Sequence, residues 1–130
     1  LVDFWPASGM PSHVAHAERF RLARLWAGFL ADHPVVVLPT WYQPPFDHHE
    51  DLADDRDALR SLYDGVFTPI VPANLLGLPA TQVPVGLGAD GTPLGVQCLA
   101  DRHREDVTLA AAAIVEAAFP PLTPIDPATG

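Results

Sequence analysis

Proline most strongly constrains what this chain can fold into. It occupies 15 of the 130 positions, against an average usage of about 5%. Its ring fixes φ and removes a backbone N–H donor, which excludes it from helix interiors and central strands. Prolines therefore set many of the element ends and turns.

Two helices are predicted near the ends of the chain. The first runs from residue 12 to about 32, with Ser12 as a candidate N-cap and Pro34 as its stop. Residues 25–31 of this helix are apolar on every side, which predicts cover on several faces. The last helix runs from about residue 104 to 119 and carries carboxylates in its first turn. Residues three and four apart give it a predicted buried stripe of Val107, Ala110, Ala111, Ile114 and Ala118.

Three strands are predicted between these helices. The β-branched run 35–38 is bounded by prolines and is typical of a strand covered on both faces, as in a parallel or mixed sheet. Residues 81–87 and 94–100 alternate in polarity, and the Asp-Gly pair between them predicts a hairpin. Pro84 cannot donate a ladder hydrogen bond, so it is expected at an edge or bulge.

The remaining segments are less regular. Residues 47–64 hold seven carboxylates and two arginines and predict a solvated helix from about 54 to 63. Residues 67–78 are punctuated by proline and glycine, so only short helical turns fit there. The helix-then-strand order predicts an α/β fold, part of a mixed sheet flanked by helices, without an internal domain boundary in 1–130.

Charge and cysteine content exclude several classes of function. Seven cationic residues, all arginine, oppose sixteen carboxylates, giving a net charge of −9. The absence of lysine excludes a lysine base or Schiff base within these residues. The acidic balance argues against nucleic acid and anionic membranes as partners. The single cysteine, Cys98, predicts a reducing compartment, and we expect a cytoplasmic protein.

No metal, cofactor or acid–base site is predicted. His48 and His49 precede two carboxylates, but a spacing such as His-Glu-x-x-His is absent, and a solvated polar surface is the preferred interpretation. General acid–base work needs a carboxylate whose pKa is raised, usually by burial. The carboxylate candidates lie in a charged run and are Glu50, Asp51, Asp54, Asp55 and Asp57.

Nucleophile patterns are equally weak, and we predict no catalytic residue in the chain. None of the three serines lies in a Gly-x-Ser-x-Gly elbow. Cys98 falls on the apolar face of its strand, where a buried, inert thiol is expected. The glycines of residues 86–95 belong to a hairpin rather than to a phosphate-binding loop.

An aromatic loop follows the first predicted strand. Ligands in open α/β sheets bind beyond the carboxyl ends of strands. Trp41 and Phe46 are therefore candidates for lining an apolar substrate pocket, with mere cover of the core as the alternative.

A run of ordered motifs carries a family resemblance. The stretch 72–80, followed by Val-Pro-Val-Gly at 83–86, Gly-Thr-Pro-Leu-Gly-Val-Gln at 91–97 and Arg-Glu-Asp at 104–106, resembles the carboxyl-terminal region of amidase signature enzymes. The resemblance covers about residues 15–120. Its matched residues are interpreted as structural rather than catalytic: Asn74, Gly77, Pro79, Gly86, Gly95 and Gln97.

The resemblance implies an enzyme larger than this chain. Family members hydrolyse amides with a serine nucleophile, a bridging cis-serine and a lysine, from a glycine- and serine-rich segment in their amino-terminal half. Nothing here matches that segment, so no triad residue is carried over. We expect a carboxyl-terminal fragment that meets its amide substrate through the parent enzyme, and whose apolar surface is covered by the missing portion or a partner chain.

Two alternatives stay open at this point. The first is a stand-alone binding or assembly module derived from an amidase. The second is an independent enzyme that uses His48, His49 and the nearby carboxylates.

Overall fold

The computed structural model describes residues 9–52 and 55–122. These residues form helices and strands in the predicted order, with ends displaced by a few residues. The elements are α1 (Ser12–Asp32), β1 (Val36–Pro39), a short 3-10 turn (Glu50–Leu52), α2 (Arg56–Phe67), α3 (Val71–Leu76), β2 (Ala80–Leu87), β3 (Pro93–Leu99) and α4 (Glu105–Ala117).

The three strands form a sheet in the order β1-β3-β2. The predicted hairpin between β2 and β3 is confirmed, and its turn is closed by the Gly88 N–H donating to the Thr92 carbonyl at 2.7 Å. Pro84 lies on an edge strand beside a register shift between Pro84 and Gly86. Both features expected of a strand proline, an edge and a bulge, are therefore present.

The prediction that the β1 run is covered on both faces is wrong for the described residues. β1 pairs antiparallel with β3 alone among them, and Val37 is 52% exposed. The described part of the chain therefore leaves apolar surface of β1 uncovered at this edge of the sheet. The α/β class is confirmed, while all pairings among the described strands are antiparallel.

Helices pack on both faces of the sheet. On one face α4 covers the hairpin, where Val83, Cys98 and Ala112 form a buried cluster. On the other face Leu99, with no exposed surface, packs against Leu30 of α1 and the residues of α3. The sheet is therefore the middle layer of a helix–sheet–helix arrangement.

The predicted buried stripe of α4 is wrong in part. Ala111 is partly buried as expected, but Ile114 is 74% exposed, and Ala110 and Ala118 are also exposed. The buried line instead runs through Thr108 and Ala112. Thr108 accepts a hydrogen bond from Thr81 at 2.9 Å and donates to the Glu105 carbonyl at 3.0 Å. These bonds satisfy the Thr108 hydroxyl in the interface between α4 and the sheet. A pattern of apolar residues does not predict the burial of such a polar side chain.

Helix α1 differs from its prediction at the start and along one side. Pro11, not Ser12, occupies the N-cap position, and its carbonyl accepts from Val14 and Ala15. Among the described residues α1 buries Leu30 fully, whereas three large apolar side chains are half exposed: Phe20, Leu25 and Phe29. None of the helices in the described ranges is both long and apolar enough to cross a membrane.

Candidate functional site

A cavity of about 550 Å³ opens where β1 ends, between the loop that follows β1 and the β2–β3 hairpin. Its size lies within the range of small-molecule pockets, about 300–1,000 Å³. The lining residues are Pro39, Thr40, Trp41, Gln43, Pro45, Phe46, Gln82, Val85, Pro93, Leu94, Gly95 and Val96.

The two aromatic candidates from the sequence come together in this cavity. The rings of Trp41 and Phe46 meet edge to face, with centroids 6.4 Å apart at 60°. They are 43% and 38% exposed, so both keep surface available to a ligand. Their role in binding a substrate stays a prediction, whereas their placement on one wall is a property of the fold.

Two contacts position the loop that carries these aromatics. The Thr40 N–H donates to the Gly95 carbonyl at 3.0 Å and thereby continues the β1–β3 pairing by one residue. Farther along, the carboxamide of Gln43 lies against Gly65 of α2, where a Cβ would overlap it. The glycine in α2 therefore lets the loop approach the helix closely.

The end of the cavity nearest the sheet is polar. A Cβ on Gly95 would lie 2.9 Å from Gln82 Nε2 and 3.2 Å from Thr40 Oγ1. The two polar atoms thus converge on the space that the glycine leaves open. Thr40 and Gln82 carry no local sequence signal for this position, because only strand register shows that they flank Gly95.

The cavity lining holds no ionisable side chain. Cys98, the one cysteine, has no exposed surface, and burial raises the pKa of its thiol. A buried thiol with a raised pKa is a poor nucleophile at neutral pH. The described lining therefore supplies apolar contact and neutral hydrogen bonding rather than acid, base or nucleophile.

Gln97 ties the sheet to the helices beside the cavity. Its side chain is 5% exposed, and Nε2 donates to the Pro69 carbonyl at 2.9 Å, in the turn between α2 and α3. Gln97 and Gln82 are cross-strand partners, so they share one face of the sheet. The contact is structural. Gln82, the cross-strand partner of Gln97, places its Nε2 beside Gly95, at the polar end of the cavity.

The other motif residues occupy turns and strand ends. Gly77 ends α3 with φ 67°, a left-handed conformation that favours glycine, and the Pro79 carbonyl accepts from Ala100. Gly86 has φ 150° at the bulge and open space around it, so its need is conformational rather than close packing. Asn74 lies on the exposed side of α3.

Two arginines without a local sequence signal bind the carbonyl groups at the carboxyl end of α3. Arg102 Nε donates to the Leu76 carbonyl at 2.8 Å, and Arg19 Nε donates to the Leu75 carbonyl at 2.5 Å. The last carbonyls of a helix lack intrahelical partners, and cationic donors there also complement the helix dipole. Arg19 and Arg102 lie 56 and 26 residues from the carbonyls that they bind, so no local sequence pattern predicts these contacts.

The acidic stretch has local structural contacts. Asp55 caps α2 by accepting from the backbone N–H groups of Asp57 and Ala58 at 3.0 and 3.1 Å, and Glu50 accepts from the Asp47 N–H at 2.9 Å. Asp54 lies outside the described residues. Within the described ranges no three metal-ligating side chains gather at one point, and the rings of His48 and His49 lie 6.3 Å apart.

Comparison with known proteins decides the family. The sequence profile of the amidase family matches residues 9–109. This chain belongs to the amidase signature family. The match includes the loop with Trp41 and Phe46, the motif residues 74–97 and the beginning of α4, so the cavity lies entirely within the family region.

Comparison with individual amidases shows what share of each protein this chain covers. The chain is 40% identical over 102 residues to indoleacetamide hydrolase of Bradyrhizobium japonicum, covering 78% of this chain and 22% of that protein. It is 34% identical over 112 residues to acylamidase of Rhodococcus erythropolis, covering 82% and 23%. The structure of 6-aminohexanoate cyclic dimer hydrolase superposes with a TM-score of 0.57 at 32% identity, covering 78% of this chain and 23% of that one. The chain therefore spans about a fifth of the length of the curated relatives it matches.

Proposed function

We propose that these 130 residues are the carboxyl-terminal portion of an amidohydrolase that hydrolyses carboxylic amides by acyl transfer to serine. The observation that carries the proposal is the family match over residues 9–109, from a chain that spans only about a fifth of its relatives. In this proposal 1–130 is one part of a single amidase-like domain, and the Ser-Ser-Lys set lies outside it. The lack of lysine throughout the chain supports that division.

The reaction proceeds in two balanced steps. The serine oxygen attacks the amide carbonyl carbon, the C–N bond breaks, and the amine leaves with a proton while an acyl ester forms. Water then attacks the ester, releasing the carboxylic acid and restoring the serine hydroxyl. Backbone N–H groups hold the oxyanion in both steps.

The described chain contributes scaffold and one wall of the substrate pocket. Trp41 and Phe46 supply apolar contact area on an uncharged cavity. The names of the relatives, an indoleacetamide hydrolase and an acylamidase, favour amides with an apolar body as substrates. A small amide is therefore the partner we assign to the parent enzyme.

Exposed apolar surface supports the need for further cover. Leu25, Phe29 and Val37 are each at least half exposed, on the amino-terminal helix and the edge strand that follows it. We propose that the amino-terminal portion of the same domain covers this surface. The alternative, a stand-alone assembly module, would place a partner chain there instead.

Activity measurements separate these proposals. The complete reading frame that contains this chain, and the 130 residues alone, are purified and assayed for ammonia release from indole-3-acetamide and phenylacetamide. We expect turnover by the complete polypeptide and none by the 130 residues. Robust turnover by the 130 residues alone would overturn the division of labour, and inactivity of a folded, complete polypeptide on all amides tested would favour the assembly module.

A further inference from the structure

A second cavity, the turn cavity, lies between residues 41–44 of the loop after β1 and the hairpin turn at residues 88–94. Its volume of about 440 Å³ is also within the range of small-molecule pockets, about 300–1,000 Å³. Tyr42 and Asp90 line the turn cavity but not the cavity of 550 Å³ beside it. The turn cavity therefore has a chemistry of its own.

Two exposed aromatic side chains line the turn cavity. Trp41 and Tyr42 are adjacent in the chain, and both keep about half of their surface open to solvent. The edge-to-face contact with Phe46 holds the Trp41 ring in place. The faces of indole and phenol rings carry negative potential and attract a cation that lies within about 6 Å of the ring centre. The two rings therefore suit a ligand with a positive charge.

A fixed carboxylate lies in the same cavity. Asp90 Oδ1 accepts from the Thr92 N–H at 3.1 Å and from the Thr92 hydroxyl at 2.6 Å, so the turn holds this side chain in one place. The same bonds lower the pKa of Asp90, which keeps it ionised at neutral pH. A Cβ at position 88 would lie 2.8 Å from Oδ1, so Gly88 leaves the space beside this oxygen open.

The charge of the turn cavity is uncompensated within its lining. Asp90 is the one charged side chain among the described residues that line it, and none of these residues is an arginine. The net charge of −9 on the chain adds a field that attracts cations. Rings, carboxylate and field thus all favour a cationic ligand.

We propose that the turn cavity binds an organic cation that carries an alkylated ammonium group. The rings of Trp41 and Tyr42 contact the alkyl groups around the nitrogen, and Asp90 supplies the opposing charge. A quaternary ammonium donates no hydrogen bond, which suits a carboxylate oxygen that already accepts two bonds from Thr92. A primary ammonium would bring three donors that need acceptors. The inference goes beyond the proposed amide hydrolysis and assigns a second, separate ligand site.

A matched ligand pair tests the preference for charge. Choline and 3,3-dimethylbutan-1-ol have the same shape, but carbon replaces the charged nitrogen in the alcohol. Saturation-transfer difference NMR, on the complete polypeptide that contains this chain, gives the dissociation constant of each at pH 7 and low ionic strength. We expect choline to bind at least about fivefold more tightly than the alcohol, and added salt to weaken choline alone. Equal affinities, or no saturable choline binding at millimolar concentration, would overturn the proposal.

Asp90→Asn locates the charge that choline meets. Asparagine keeps an oxygen that can accept from Thr92, so the turn should stay intact at pH 7. We expect choline to bind about 2- to 5-fold more weakly, with the neutral alcohol unaffected. Asp32→Asn is the matched control, because it removes the same charge at the end of α1, outside the lining of the turn cavity. Unchanged choline affinity in Asp90→Asn, or equal losses in both variants, would contradict the site.

Tyr42→Leu tests the aromatic wall, because leucine keeps apolar bulk and removes the ring face. We expect choline to bind about 2- to 5-fold more weakly to a variant whose melting temperature matches the parent. Full choline affinity in that folded variant would rule out the ring contact.

Amide turnover separates this inference from the proposed function. Neither Tyr42 nor Asp90 lines the 550 Å³ cavity, so both variants should release ammonia from phenylacetamide at the parent rate. Turnover without choline binding would remove the turn-cavity site and leave the amidohydrolase proposal standing. Choline binding by an inactive, folded polypeptide would do the reverse.

Discussion

At the residue scale, the buried bond from Gln97 to the Pro69 carbonyl ties the sheet to the turn between α2 and α3. Gln97→Met removes a buried donor and leaves the Pro69 carbonyl unsatisfied. We expect the free energy of unfolding to fall by about 1–3 kcal/mol, measured by urea titration of the 130-residue chain. Gln82→Met is the matched control on the same face, and its exposed position predicts a change within about 0.5 kcal/mol. Equal effects of the two substitutions would contradict the structural role of Gln97.

Also at this scale, Asp90 makes the hairpin turn sensitive to acid. Its carboxylate accepts from the Thr92 hydroxyl at 2.6 Å and the Thr92 N–H at 3.1 Å, and these bonds hold the pKa of Asp90 below its usual value. A lowered folded pKa means that the stabilisation is complete above the unfolded pKa, about 3.9, and is lost as pH falls through the folded value.

The acid sensitivity is measured as melting temperature against pH, for the parent chain and Asp90→Asn. Asparagine keeps an acceptor oxygen but does not titrate, and every other carboxylate is common to both proteins. The parent should therefore lose more stability than the variant as pH falls below about 4. Parallel curves over that range would show that the Asp90 bonds contribute nothing to stability.

At the element scale, helix α4 and helix α3 provide a matched pair of apolar truncations. Leu76 in α3 is 1% exposed, and Leu76→Ala should lower the free energy of unfolding by about 2–5 kcal/mol. Ile114 in α4 is 74% exposed, so Ile114→Ala removes as many carbon atoms for a change within about 0.5 kcal/mol. Urea titration compares them, and a large effect at Ile114 would mean that α4 packs through the stripe predicted from sequence.

The elements that could be predicted from sequence are those with local signals. The Asp-Gly turn and the strand alternation predict the hairpin. Pro84 predicts the bulged edge, and Pro34 predicts the end of α1. The apolar pattern does not predict the buried line of α4, because Thr108 is polar and bonds to Thr81, a residue 27 positions away. The apolar run 35–38 predicts a strand covered on both faces, because apolar composition indicates that cover is needed but not which residues provide it.

The candidate site also combines residues that have a local sequence signal with residues that have none. Trp41 and Phe46 could be predicted because they follow a strand, where ligands of open sheets bind. Thr40, Gln82 and Gly95 converge only through the pairing of β1 and β2 with β3. No local pattern encodes that register, so the polar end of the cavity required the structure.

At the scale of the whole molecule, the half-exposed side of α1 predicts a context-dependent substitution. Leu25, Trp26, Phe29 and Val36 line an apolar depression of about 400 Å³. In the 130-residue chain, Phe29→Glu places a charge at a position that is already half exposed, so the melting temperature should change little. In the complete polypeptide the same substitution buries an unpaired carboxylate and should lower the melting temperature markedly. Equal small changes in both proteins would show that this surface stays uncovered.

The central claim is that the nucleophile of the reaction lies outside these 130 residues, and covalent trapping tests it most directly. The complete polypeptide is inactivated with phenylmethylsulfonyl fluoride, digested, and the modified serine is located by mass spectrometry. We predict one adduct on a serine outside residues 1–130, with ammonia release from phenylacetamide lost in proportion to labelling. An adduct on Ser8, Ser12 or Ser61 that accounts for the lost activity would contradict the account.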